Sequence, residues 1–217
     1  MKDNRKKRLG LVAGVSALLV LAGCAMMQRG PDVEAVLKDS FKERGIAKLD
    51  RLEQTPLQKA CSEAAAAGRD LDPAVRQRLE KAAQDAIRYP AAGNYLGDWR
   101  EGERVAQSGR GLQFSDTAQT VAGGNCYACH QLTKTEISFG NIGPSLYQYG
   151  KLRGVSNPAD PASAEIVKYT WGKIWNSHAY NACSQMPRFG DAGILTEEQL
   201  RHVMALLLDP SSPVNAE

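Results

Sequence analysis

Along this chain the apolar residues fall into one unbroken run and then into a scatter with helical spacing. The run is Leu9 to Leu21. After it, Val33, Val36, Leu37 and Phe41, then Ile46 and Leu49, recur at helical spacing. A second helix is predicted over Pro56–Ala67 and a third over Pro73–Ile87, with Asp72 as N-cap, Pro73 at the first position and Gly68-Arg69-Asp70 between them. Tyr89-Pro90-Ala91-Ala92-Gly93-Asn94 is a boundary, and Trp99 to about Ser108 reads as one further helix. Asp160-Pro161 opens the next by the same cap logic and runs it to about Asn176, with Ile166, Tyr169, Trp171, Ile174 and Trp175 giving it an aromatic face. Thr196 caps the last helix, whose apolar stripe is Leu200, Val203, Met204, Leu207 and Leu208. It stops at Asp209-Pro210, and Ser211 to Glu217 reads as a polar tail. The pattern predicts an all-α protein.

The apolar run changes the picture of the N-terminus. Lys2, Arg5, Lys6, Lys7 and Arg8 precede it, and Leu21-Ala22-Gly23-Cys24 closes it. Such a run is short for a membrane-spanning helix and reads as an export signal. The small residues ending in Cys24 look like a bacterial lipobox, which makes Cys24 the lipidated first residue of a mature protein. Ordinary cleavage nearby is the alternative. Residues 1–23 are then signal, 24–31 a tether, 32–90 a helical extension and 91–217 the principal domain. Both routes place the protein in the periplasm, the first anchored there by lipid.

Removing the signal also resets the charge. Residues 1–23 hold five of the 27 basic side chains and one of the 24 acidic ones, so 22 basic residues face 23 acidic in the remainder. The formal charge of +3 therefore describes the signal more than the fold. No basic stripe offers a surface to nucleic acid.

The stretch with chemistry in it is Cys126-Tyr127-Ala128-Cys129-His130. C-x-x-C-H is the spacing at which two thiols form thioethers to the vinyl groups of one haem c, with the following histidine beneath the iron as proximal ligand. Two other readings compete. A thioredoxin-like dithiol needs a strand leading into it, whereas Gly123-Gly124-Asn125 precedes the motif. A tetrahedral zinc site needs two more ligands, from among His178, His202, Cys24, Cys61 and Cys183. Downstream, Gly140 and Gly143 permit close backbone approach, and Pro144 can place a carbonyl at the ring N–H of His130; a plain turn is the rival reading.

A sixth ligand comes from Met186, Met204, His178, His202 or Cys183. Met204 falls in the apolar stripe of the last helix, where a core thioether is expected. His202 falls off that stripe and reads as a solvated surface residue. Met186 sits in a loop, Asn181 to Gly190, with Pro187 to stiffen it. It is the favoured donor, with His178 next and an open site third. A thioether donor raises the reduction potential and suits an electron carrier.

Cys61 and Cys183 are left over. In an oxidising compartment two spare thiols favour a disulfide; both free, or one bridged to another subunit, are the rivals.

Helix, C-x-x-C-H, Gly-Pro turn, Met-Pro loop and terminal helix, in that order, resemble class I cytochromes c. A finer resemblance covers about residues 95–217. Gly124-Asn125-Cys126-Tyr127-Ala128-Cys129-His130, Gly140-Asn141-Ile142-Gly143-Pro144-Ser145-Leu146, Met186-Pro187-Arg188-Phe189-Gly190 and Ser212-Pro213-Val214-Asn215 are similar to SoxX, the monohaem subunit of the SoxAX cytochromes of sulfur-oxidising bacteria. The resemblance implies a class I cytochrome c-like domain with one covalent haem c. It puts Cys126 and Cys129 on the porphyrin, Gly143 and Pro144 in the haem pocket, and His130 and Met186 on the iron. It also implies partners: SoxA in a heterodimer, SoxYZ transiently, and a small cytochrome c as acceptor. In that family the catalytic residues lie on SoxA, which forms the thiosulfate adduct on a SoxYZ cysteine as an L-cysteine S-thiosulfotransferase, and the SoxX chain moves electrons. The lipobox and residues 32–90 go beyond the family's core pattern. A stand-alone periplasmic carrier, or an enzyme or gas sensor with a labile Met186 bond, are the other readings.

Overall fold

The computed structural model describes residues 32–216. Among these residues the regular structure is helical, with one isolated bridge between Arg44 and Ala47 and no strand. We number the helices α1 (Val33–Ser40), α2 (Pro56–Ala66), α3 (Pro73–Asp85), α4 (Trp99–Gln107), α5 (Ala164–Trp175), α6 (Glu197–Leu208) and α7 (Pro213–Ala216). Short 3-10 turns stand between several of them. Cys24 and the export segment lie outside the described residues.

The caps follow sequence chemistry. Asp72 accepts the amides of Ala74 and Val75 at the start of α3. Thr55 and Thr196 each form a reciprocal capping box, with Gln58 and Gln199. Asp160 accepts the Ala162 amide and opens a 3-10 turn, Pro161–Ser163, that leads into α5. The predicted run through Ile46 and Leu49 is broken. α1 ends at Ser40, with Phe41 already in extended backbone. Gly45 takes φ +56° in a tight turn, a conformation that a helix interior excludes. No residue of α1 is buried. The chain divides after Lys42, and Glu43 to Glu217 forms the larger unit.

Within that unit α4 crosses α6. At the crossing Gly102 has no room for a side chain: a Cβ there would run into the His202 carbonyl and lie 3.0 Å from Cβ of Leu206. The two backbones meet closely enough to seal Ala106 against α6. Around the crossing Leu132, Trp171, Leu200, Met204, Leu206, Leu208 and Val214 are fully buried. Removing a Leu-sized side chain from water is worth about 1.5–3 kcal/mol, so this cluster is the principal source of stability. α5 faces it with Val167, Trp171 and Ile174. The Trp171 indole N–H donates to the Arg88 carbonyl at 2.8 Å, and Ile87 joins the same core.

α2 and α3 hold a second, smaller cluster of Leu57, Ala64 and Leu71. Its fourth buried member is Ala182, from the loop after α5. Cys61 and Cys183 form a disulfide across the same junction, 122 residues apart in sequence. In the chain-entropy account, closing a loop that long stabilises by up to about 5 kcal/mol.

The tail corrects the reading of residues 211–217 as polar overhang. Ser212, Val214 and Asn215 are buried. Asn215 Oδ1 accepts the amides of Gly150 and Lys151, while its Nδ2 donates to the carbonyls of Leu207 and Asp209 and to Ser212 Oγ. One short amide side chain thereby closes the end of α6 onto the 147–155 region. A polar residue can sit in the interior when its hydrogen-bonding capacity is filled, which polarity along a sequence does not report.

Candidate functional site

Cys126–Ala128 forms a 3-10 turn entered through Asn125, whose φ of 47° lies in the left-handed region. The end of α4 fixes that entry: Gly124 donates to Val105 O and Asn125 to Ser108 O. Cys129 and His130 both donate their amides to Cys126 O, so the two cysteines and the histidine share one tight coil. The next loop is laced over it. Gly140 donates to Tyr127 O, Gly143 to Cys129 O and Leu146 to Gln131 O.

This lacing aims the histidine. His130 Nδ1 lies 2.7 Å from Pro144 O. A carbonyl only accepts, so Nδ1 carries the proton and Nε2 keeps its lone pair for a metal. Gly143 closes over the ring. A Cβ there would fall 2.5 Å from Nδ1 and 2.7 Å from Nε2 of His130. Glycine at this position is a requirement of space.

Cys126 and Cys129 are not disulfide-bonded to each other or to another residue. Burial of the sulfur pushes the Cys126 thiol up to about 12. Among the described residues no group of three or more His, Cys, Asp and Glu side chains is placed to hold a metal ion. Cys61 and Cys183, two of the thiols that a zinc site could have drawn on, are bonded to each other.

The competing sixth ligands are sorted by what holds them. Met204 is wholly buried in α6. Cys183 is bonded to Cys61. His202 is not the solvated surface residue expected: it is half-buried beside Gly97, and its Nδ1 accepts the Asp98 amide at 2.9 Å. His178 is buried, with Nε2 3.2 Å from Ser184 O. Burial lowers its pKa, partly offset by that hydrogen bond. The neutral ring with a protonated Nε2 then donates to the carbonyl and braces the loop.

Met186 is left with a free thioether. It packs half-buried against the main core, as do Cys126, Leu146, Trp175 and Ile194. Its backbone is pinned at both ends, since Ser177 Oγ donates to Met186 O at 2.6 Å and Met186 N donates to Ser184 Oγ at 3.2 Å. An Arg188–Asp191 ion pair at 2.6 Å steadies the following turn. Ser177 and His178 escaped sequence reasoning as supports of this loop. The one local signal was Asn176, a capping residue type directly after the aromatic helix.

The residues fit a covalent haem. Paired thiols, a histidine with its Nε2 free, and a thioether on a pinned loop would supply the attachment and the iron donors. The buried indole N–H of Trp175 has no hydrogen-bond partner among the described residues, so an acceptor on a bound group would satisfy it.

Comparison with known proteins points the same way. The cytochrome c family model matches residues 115–209. An uncharacterized lipoprotein of Aquifex aeolicus strain VF5 is 35% identical over 223 residues, covering 99% of this chain and all of that protein.

Proposed function

Because the chain belongs to the cytochrome c family, with the Aquifex lipoprotein as a full-length relative, we propose that it is a SoxX-type electron-transfer subunit, anchored by lipid in the periplasm. The cytochrome c domain itself means electron transfer through covalently bound haem c, on an all-α fold of the class I kind. The single observation that carries the carrier reading is the pair of His130, oriented by Pro144, and Met186, held with its thioether free.

When bound, the haem supplies one-electron chemistry. This chain's residues do the rest. Cys126 and Cys129 would hold the porphyrin covalently, so that it would not be lost on reduction. Pro144 and Gly143 hold the imidazole in one tautomer and one orientation, which keeps the geometry alike in both redox states. Met186 would hold the iron through its thioether and favour the ferrous form. The apolar packing around Cys126, Leu146 and Trp175 limits water and so limits reorganisation.

The SoxX-type assignment is supported by Met186-Pro187-Arg188-Phe189-Gly190 and by Ser212-Pro213-Val214-Asn215, the latter a built-in part of the fold. On this reading one haem c takes electrons released when SoxA couples thiosulfate to a SoxYZ cysteine, and hands them to a small cytochrome c. The relative's name supports lipidation at Cys24. No helix among the described residues is long and apolar enough to cross a membrane.

Two measurements test the reading. The oxidised protein should be low-spin with the methionine-to-ferric charge-transfer band, and Met186→Ala should abolish it. The tagged protein, purified from its own bacterium grown on thiosulfate, should bring down a second haem-bearing chain. Recovery of the protein alone, still able to pass electrons between unrelated partners, would favour the stand-alone carrier.

A further inference from the structure

We propose that the Cys61–Cys183 disulfide, together with Glu80 and Gln84, is a clamp that positions Met186 on the iron. The inference rests on the reading of Met186 as the distal ligand.

The loop that carries Met186 is restrained from two directions. From within, Ser177, His178 and Ser184 pin it by the hydrogen bonds described above. From outside, the α2–α3 pair holds it at three successive points. Gln84 Nε2 donates to Ala179 O at 2.7 Å, the Ala182 amide donates to Glu80 Oε1 at 3.0 Å, and Cys183 is bonded to Cys61. Ala182 is also buried in the α2–α3 cluster. Met186 stands three residues beyond the covalent point. The α2–α3 pair lies about a hundred residues away in sequence, yet it holds three residues of the approach to the ligand, at 179, 182 and 183.

A thioether is a weak iron donor, and its occupancy depends on how rarely its loop swings away. An added ligand binds only while the position is open, so its apparent affinity scales with the open fraction. Loosening the clamp enlarges that fraction without touching Met186 itself.

The test is imidazole binding to the oxidised holoprotein, followed by loss of the charge-transfer band. Cys61→Ala/Cys183→Ala should bind imidazole about tenfold more tightly than the parent, and Glu80→Ala/Gln84→Ala about threefold. The second variant alters half-exposed and exposed side chains and leaves the disulfide intact, so it carries the test if the first fails to fold. Asn215→Ala loosens the junction of the tail with α6 and the Gly150 turn, and Asn215 has no hydrogen bond to a clamp residue. It serves as the control of comparable instability and should keep the parent affinity. Unchanged affinity in both clamp variants overturns the proposal, as does an equal rise in Asn215→Ala. Met186→Ala separates this failure from that of the underlying reading. If the band persists in Met186→Ala, the ligand assignment falls and the clamp with it. If the band is lost there while the clamp variants bind imidazole like the parent, only the clamp is wrong.

Discussion

Pro144 O accepts a hydrogen bond from His130 Nδ1 at 2.7 Å while the neighbouring Gly143 lies against the same imidazole. The ring is thus oriented at its edge by Pro144 and covered on one face by Gly143. Gly143→Ala inserts a methyl group where the ring already is. It should destabilise the domain by about 1–3 kcal/mol, as overpacking of a closed site does. It should also displace His130 and lower the yield of haem-bearing protein. Denaturation of the purified holoprotein, with haem content per chain, measures both. A variant with parental stability and a parental low-spin spectrum would show that the ring has space the structure does not give it.

Asn215 is the second testable position. Asn215→Ala leaves the Gly150 amide and the Leu207 carbonyl buried without this partner. The expected loss is about 2–4 kcal/mol, because unsatisfied buried groups keep their desolvation cost. Asn215→Asp should be no better, since it cannot donate to Leu207 O and Asp209 O. Urea midpoints of the three proteins decide this, and a loss within the error of the parent would return the tail to the surface.

His178 makes stability depend on pH. Its pKa is lowered from 6.5, chiefly by burial, with the Ser184 carbonyl and Asp191 acting against that and Arg188 and Lys173 adding to it. Below about pH 6.5 the unfolded chain takes up the proton before the folded one does, so stability falls with falling pH from there to the lower folded value. Above that window the contribution is fully present. His178→Gln should flatten this acid limb while leaving the stability near pH 8 less affected. Parallel pH profiles of denaturation midpoint in the two proteins would be the contrary result.

On the proposed reading Cys24 carries the lipid anchor. Cys24→Ser in the native bacterium should move the protein from the membrane fraction to the soluble periplasmic extract with haem retained. Recovery of the unsubstituted protein in the soluble extract, cleaved at another residue, would remove the anchor.

Two kinds of information divided the labour here. Local patterns in the sequence determined the helices and their caps, the Cys126–His130 motif and the Gly143-Pro144 turn. Each depends on residues within a few positions of one another, where spacing and side-chain chemistry are enough. The end of α1 at Ser40 was harder, because Gly45 breaks a periodicity that the apolar residues alone continue. Three matters were decided only by tertiary structure. His202 looked solvated from its place off the stripe, but α4 reaches across and gives its ring an amide to accept. Asn215 looked like tail, but the region around Gly150 and the end of α6 converge on it from opposite sides. The Met186 loop read as stiffened by proline, with a disulfide from Cys183 to Cys61 favoured, and those two cysteines are bonded, whereas the holds on residues 179 and 182 came only with α3 in place. In each case the decisive partner is tens of residues distant or more, or lies outside the element's own periodicity. Whether a polar side chain is buried depends on which donors and acceptors the fold brings to it, and that pairing exists only once the chain has closed on itself.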